Sequence, residues 1–183
     1  DIGVYALSIV RSFMDETPDE IVSQWKPSPT GSDEQATILL KNSLGQMATV
    51  ALSMHSKQPK RAMISCEKGY IEIMEYPRAS KAILVDAETG KQTELDCGDT
   101  ANALYYEMTD MEQAVKNKTC ANKNGIDKNS ADKNDTNKNS ESNEQNEQNE
   151  QDEMHLAYTR DVMEIMTRLR KDWGMKYPGE NWD

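Results

Sequence analysis

The stretch Gln35-Ala-Thr-Ile-Leu-Leu-Lys-Asn-Ser-Leu-Gly-Gln-Met-Ala-Thr-Val-Ala-Leu-Ser-Met54 indicates the architecture of this chain more clearly than any other. It holds two β-type runs, Gln35–Lys41 and Gln46–Met54, separated by Asn42-Ser-Leu-Gly45. This four-residue segment has the length of a hairpin connection, and its Gly45 can adopt a positive φ. Side chains alternate between two faces of a strand, and one face of the second run is the more apolar. The stretch therefore predicts an antiparallel pair within a sheet that has one buried face and one less buried face.

Short strands continue the pattern on both sides of this hairpin. Tight turns at Glu67–Gly69 and Ala87–Gly90 connect two of the later pairs. Such turns join antiparallel neighbours, whereas parallel strands need a long crossover. We expect a largely antiparallel or mixed open sheet of about six or seven strands. The additional strands are predicted at Ile21–Trp25, Ala62–Cys66, Tyr70–Glu75, Ala82–Asp86 and Gln92–Asp96.

Three segments have the apolar periodicity of amphipathic helices: residues 1 to about 14, 102–116 and 154–173. The second and third carry Met-rich stripes, which predict core packing against the sheet. With helices packed on one face of the sheet, the predicted fold class is α+β. The second stripe consists of Leu104, Met108, Met111 and Val115.

A polar, repetitive segment separates the last two helices, at residues 117–153. Lysines recur in it every five residues from Lys118 to Lys138, and Asn-Glu-Gln then repeats three times. Such a segment has almost nothing to bury, so it cannot offset the entropy lost on ordering. We predict a single domain, residues 1–183, with a disordered low-complexity insertion at 117–153. A helical spacer is the alternative for the part that is rich in Glu and Gln.

The charge and the cysteines limit the possible functions. The 183 residues carry a formal net charge of −11, which argues against nucleic acid or an anionic membrane as a partner. No run is long and apolar enough for a membrane helix, and no segment of the given sequence has the basic-then-apolar pattern of a signal peptide. Cys66, Cys97 and Cys120 are widely spaced, and with His55 and His155 they form no zinc-ligand pattern. These features predict reduced thiols, no metal site and a cytoplasmic location.

Asp1 and Tyr5 are the candidate catalytic residues. Their spacing places a carboxylate and a phenol one helical turn apart on one face. Asp1 also lies at the positive end of the helix dipole, which favours its ionised form. Such a pair could handle a proton. Asp is nevertheless common at helix starts and Tyr is common on half-buried helices, so this spacing alone favours a structural role.

Three segments carry a family resemblance: Asp1-Ile-Gly-Val-Tyr5, Glu67-Lys-Gly-Tyr-Ile-Glu-Ile73, and Tyr158–Met166 followed by Tyr177-Pro178. In their order and spacing they resemble the C-terminal domain of the Gfo/Idh/MocA oxidoreductases. The dihydrodiol dehydrogenase branch is the most similar, because it has Tyr at the position that matches Tyr5. The resemblance covers nearly the whole chain except the polar segment.

The resemblance implies a function for the full-length protein. It implies hydride transfer between NAD or NADP and a sugar, polyol or diol, with Tyr5 as the acid/base residue and Asp1 holding it or the substrate. The cofactor would bind mainly to a preceding Rossmann domain, since the chain contains no Gly-rich phosphate loop and no cofactor-binding residue of its own. An isolated phenol ionises near pH 10, and a lysine from that preceding domain would lower this pKa.

Partners and an alternative function also follow from the resemblance. The implied partners are the preceding Rossmann domain, a carbohydrate-like or diol substrate, and a second copy bound through the open face of the sheet near Ala48–Met54. The fragment alone is expected to be inactive. The alternative function is that of a non-catalytic binding or oligomerisation domain in a sensor-like member, and retention of Asp1 and Tyr5 favours the enzyme.

Overall fold

A computed structural model describes residues 2–124, 141–177 and 179–180, with the side chains of 117–124 and 141–155 left out of the description. The helices are α1 (Gly3–Ser12), α2 (Ala103–Asn124) and α3 (Glu141–Asp172). Short 3-10 turns occur at Tyr76–Arg78 and Thr100–Asn102. The strands are β1 (Glu20–Pro27), β2 (Asp33–Lys41), β3 (Met47–Ser53), β4 (Arg61–Cys66), β5 (Gly69–Met74), β6 (Lys81–Asp86) and β7 (Gln92–Asp96).

The seven strands form two antiparallel sheets, with strand orders β1-β2-β3 and β4-β5-β6-β7. Within each sheet, strands that are consecutive in sequence pair with each other, because the connections are too short for a crossover. The α+β prediction with about seven largely antiparallel strands is confirmed. The division into two sheets was not predicted, since turn signals identify neighbouring strands but not the end of a sheet.

The hairpin that joins β2 and β3 forms as its sequence indicates. Gly45 has a φ of +81° and donates its N–H to the carbonyl of Asn42 at 2.9 Å. Asn42 is fully buried, and its side-chain oxygen accepts the N–H of Gln46 at 2.9 Å. Its amide also donates to the Gln46 side chain at 2.8 Å. The buried amide is thus hydrogen-bonded locally, which fixes the register of β2 against β3.

The main core lies between the three-stranded sheet and two helices. Alternation along β2 buries Ala36, Ile38 and Leu40, while Leu39 between them is 44% exposed. Helix α1 and the C-terminal half of α3 pack on the buried side. The core cluster consists of Ala6, Leu7, Ile38, Leu40, Val50, Val162, Ile165 and Leu169. The predicted packing of the first and last helices on one face of a sheet is therefore confirmed.

The end of α3 is fixed against β1 by an aromatic pair. Trp173 stacks on Trp25 with ring centroids 5.3 Å apart, and its indole N–H donates to the Ser23 hydroxyl at 2.9 Å. A buried indole needs a partner for its N–H, and Ser23 supplies it from the same face of β1. This contact holds the last turn of α3 across the three-stranded sheet.

The chain divides into two compact units, which are described separately. One holds residues 1–97 and 158–183, and the other holds residues 98–157. In the second unit, the apolar stripe of α2 is exposed: 67% at Leu104, 70% at Met108, 63% at Met111 and 57% at Val115. Periodicity shows that a face is apolar without showing what covers it. The predicted packing of this stripe against the sheet concerns a contact between the two units and stays a prediction.

The polar segment at 117–153 is partly described. Helix α2 ends at Asn124 and helix α3 begins at Glu141, so both helices extend into it. Residues 125–140 lie outside the described residues. The single domain with a disordered insertion therefore stays a prediction. Over the described part of the chain, no helix combines the length and the apolar character needed to cross a membrane.

Candidate active site

Tyr5 lies in the first turn of α1, on the side of the helix that faces away from the core. The opposite side of α1 is anchored, since Ala6, Leu7 and Arg11 are buried. Tyr5 itself is 52% exposed, and its hydroxyl has no hydrogen-bond partner among the described residues. The phenol is therefore exposed, while the opposite side of its helix is held by the core.

The start of α1 is held close to β3. A Cβ added to Gly3 would meet the Leu52 side chain at 3.6 Å, an ordinary van der Waals contact. Helix α1 begins at Gly3, with Ile2 as an N-cap that offers no side-chain hydrogen bond. Asp1 precedes the helix and lies outside the described residues. Its one-turn spacing from Tyr5 thus stays a prediction from the sequence.

A buried ion pair joins α1 to α3. The Arg11 Nε donates to the Asp161 Oδ2 at 2.9 Å, and both side chains are less than one-tenth exposed. The Thr17 hydroxyl donates to the same carboxylate oxygen at 2.6 Å. Arg11 also donates to the Met14 carbonyl at 2.7 Å, and its guanidinium lies 4.2 Å from the ring centroid of Tyr158. Arg11 therefore fixes the end of α1, the following loop and α3 to one another.

The pKa of Asp161 is lowered by this environment. Burial by itself raises the pKa of the carboxyl, because it disfavours the charged form. The hydrogen bonds from Thr17 and Arg11, together with the positive charge of Arg11, outweigh burial. The carboxylate is thus ionised at neutral pH and pairs with a permanently charged guanidinium.

This ion pair was not predicted from the sequence, although the sequence contains two signals for it. Arg11 stands four residues after Leu7, on the core side of α1. Asp161 stands three residues after Tyr158, within the apolar stripe of α3. A single charge on each of two apolar stripes, with opposite signs, is the pattern that a buried pair leaves in a sequence, since unpaired charges are rarely buried.

No metal site is visible in the described part of the chain. Its His, Cys, Asp and Glu side chains form no group of three that could hold a metal ion. Cys66 and Cys97 are free and exposed. A shallow depression of about 540 Å³ lies on the exposed side of α3, lined by residues between Arg160 and Asp172, and Tyr5 does not contribute to it.

The structure defines the chain as an α+β protein with an exposed tyrosine in the first turn of α1. Comparison with known families identifies it further. Residues 1–72 match the model of the GFO/IDH/MocA C-terminal domain. This match covers α1, β1 to β4 and the start of β5, which is less than half of the chain, and it supports a Gfo/Idh/MocA C-terminal domain in that part. No curated protein matches the chain.

The match supports the resemblance in its general form. The matched family is one of oxidoreductases, whose members typically bind NAD(P) in their N-terminal domain. The segment with Tyr5 lies inside the matched region. The match does not reach α3, and the dihydrodiol dehydrogenase branch stays a prediction.

Proposed function

We propose that this chain is the C-terminal half of an NAD(P)-dependent oxidoreductase, in which Tyr5 carries the proton during oxidation or reduction of a sugar, polyol or diol. One observation carries the proposal: in a segment that matches the family, Tyr5 is half-exposed on a helix whose other side is buried. A catalytic group needs this combination of a free functional group and a fixed backbone. The cofactor and most of its binding site would belong to the preceding domain.

The chemistry requires a proton acceptor at the substrate oxygen. A nicotinamide bound by the preceding domain would supply the hydride acceptor for the carbon of a substrate alcohol. The hydroxyl proton must leave at the same time, and a phenolate at the Tyr5 position would take it, leaving a carbonyl. In the reverse direction, the phenol returns the proton to the oxygen. A lysine ammonium from the preceding domain would favour the phenolate and stabilise negative charge on that oxygen.

Asp1 is proposed to support Tyr5 or the substrate, since it is close to Tyr5 in sequence and precedes the first turn of α1. A carboxylate there can accept a hydrogen bond from a substrate hydroxyl. It does not carry the reaction in this proposal. Asp1→Asn is thus expected to lower turnover less than loss of the Tyr5 hydroxyl does.

The test is steady-state kinetics on the full-length protein, with NAD and NADP and a panel of sugars, polyols and diols. Tyr5→Phe removes only an exposed hydroxyl, so folding should be unchanged while kcat falls by roughly 10²–10⁴, the usual range for a general acid–base group. Tyr105→Phe is the matched control, because that tyrosine is 68% exposed in the other unit. A folded Tyr5→Phe enzyme with near-normal kcat would refute the role and favour the non-catalytic, sensor-like alternative.

We also propose that the open face of the three-stranded sheet binds a second copy of the chain. Two central cross-strand rows on this face carry no charge: Val22–Leu39–Thr49 and Gln24–Thr37–Ala51. Val22 is 64% exposed and Leu39 is 44% exposed. The strongly apolar side chains of β3, at Ala48, Val50 and Leu52, point instead to the core. The open face thus carries both apolar and uncharged polar side chains, as expected for a surface that is exposed to water before it associates.

A further inference from the structure

The first turn of α1, which carries Tyr5, has few contacts of its own that fix its direction. Ile2 at the N-cap offers no side-chain hydrogen bond, and Gly3 has no side chain. The start of a helix without such a cap is weakly held, because its first N–H groups have no partners within the helix. The orientation of Tyr5 therefore depends on contacts made further along α1.

Arg11, six residues after Tyr5, provides directional contacts. Its Nε donates to Asp161 at 2.9 Å and its Nη1 donates to the Met14 carbonyl at 2.7 Å. The planar guanidinium holds these N–H groups in fixed directions. Its central carbon also lies 4.2 Å from the ring centroid of Tyr158. Because Asp161 and Tyr158 both belong to α3, the guanidinium fixes the rotation of α1 about its own axis relative to α3.

The apolar contacts of α1 fix this rotation less tightly. Ala6 and Leu7 lie in the core cluster, but apolar contact is non-directional. The outer edge of a helix lies about 5–6 Å from its axis, so a rotation of about 20° moves a side chain there by about 2 Å. A misplacement of about 1 Å can slow a reaction by about 10²-fold. A rotation that the core tolerates would thus be large for a proton transfer at Tyr5.

We infer that the Arg11–Asp161 pair positions the Tyr5 hydroxyl for proton transfer, so that both members of the pair act through Tyr5. The inference rests on the proposed function, since it gives the pair a role in the same proton transfer. Thr17 supports the pair, because its hydroxyl donates to the Asp161 Oδ2 at 2.6 Å. All of these side chains belong to one compact unit, that of residues 1–97 and 158–183.

The test is a double-mutant cycle in the full-length protein, with steady-state kinetics on the sugar, polyol or diol that gives the highest kcat. Arg11→Lys keeps a positive charge beside Asp161 but loses the fixed geometry of the guanidinium. It should lower kcat at least about tenfold, because the Tyr5 hydroxyl is no longer held in place. The KM for NAD or NADP should change less than about twofold, since the cofactor would bind mainly to the preceding domain. In a Tyr5→Phe background, Arg11→Lys should have almost no further effect on kcat, because the group that it positions is gone.

Arg168→Lys is the matched control. This arginine donates to the Asp19 carbonyl at 2.9 Å from an exposed position on α3, so the substitution should leave kcat unchanged. Thr17→Val provides a second variant that keeps both charges of the pair and removes one hydroxyl. It should lower kcat at least about threefold, and this loss should also vanish in the Tyr5→Phe background. If circular dichroism shows that Arg11→Lys is unfolded, Thr17→Val decides the test.

A structural role alone would lower kcat by the same factor with and without the Tyr5 hydroxyl, and that result would overturn the inference. An unchanged kcat in folded Arg11→Lys would overturn it as well. In both cases a slow Tyr5→Phe enzyme would leave the proposed function standing. Near-normal kcat in Tyr5→Phe would instead refute the proposed function, and the positioning role with it.

Discussion

Replacing Asp161 by Asn is expected to destabilise this fold more than any change to a surface charge. The substitution keeps the shape of the side chain but leaves the Arg11 guanidinium, less than one-tenth exposed, without a countercharge. Removing one partner of a buried ion pair costs about 3–5 kcal/mol. Domains of this kind have a total stability of about 5–15 kcal/mol, so the loss is a large share of it. The free energy of unfolding is measured by urea titration of the isolated chain, followed by Trp fluorescence.

A surface pair provides the matched control. Lys41 and Glu20 are 2.6 Å apart, and their side chains are 40% and 65% exposed. Breaking that pair with Glu20→Gln should cost about 0.2–1 kcal/mol, because water replaces the partner. The double variant Arg11→Met/Asp161→Asn should lose less than the sum of its single variants, by about 0.5–3 kcal/mol. Equal losses for Asp161→Asn and Glu20→Gln, or strict additivity, would refute this account of the buried pair.

The same pair makes stability depend on pH in a definite direction. The pKa of Asp161 in the fold lies below its ordinary value of 3.8. A carboxyl with a lowered pKa contributes stability that is complete above the unfolded pKa and is lost as the pH falls through the folded pKa. Stability attributable to Asp161 should thus be constant at neutral pH, begin to fall near the ordinary pKa of 3.8, and be lost as the pH falls through the lower folded pKa. In Asp161→Asn, this component of the acid-induced loss should be absent from urea titrations repeated between neutral and acid pH.

Two further predictions concern the three-stranded sheet. Ile38→Ala should lower the free energy of unfolding by about 2–5 kcal/mol, because Ile38 is 1% exposed within the core. Leu39→Ala, on the opposite face, should lower it by less than about 1 kcal/mol. Both are measured by urea titration of the protein at low concentration. Similar costs for both would contradict the assigned burial. Leu39→Lys places a charge at the centre of the open face, so light scattering should show a lower mass than for the unmodified chain, with Lys57→Ala as an exposed control. An unchanged mass would exclude pairing through this face.

Local patterns in the sequence were sufficient for much of the fold. Alternation in β2 and β3, the turn from Asn42 to Gly45 and the α3 stripe predicted elements that the structure contains. These patterns depend on neighbours within a few residues, since strand alternation and helical periodicity are properties of the local backbone. The family resemblance also came from short segments, and Tyr5 was named as a candidate on that basis.

Long-range contacts could not be predicted in the same way. Arg11 and Asp161 stand 150 residues apart, and each by itself is compatible with an exposed position. The α2 stripe has the same periodicity as the α3 stripe, yet α3 buries its apolar side and α2 leaves its own exposed. The sequence by itself determined which faces are apolar and where strands turn. Only the tertiary structure decided which faces are covered, because burial requires a second surface that local sequence does not specify.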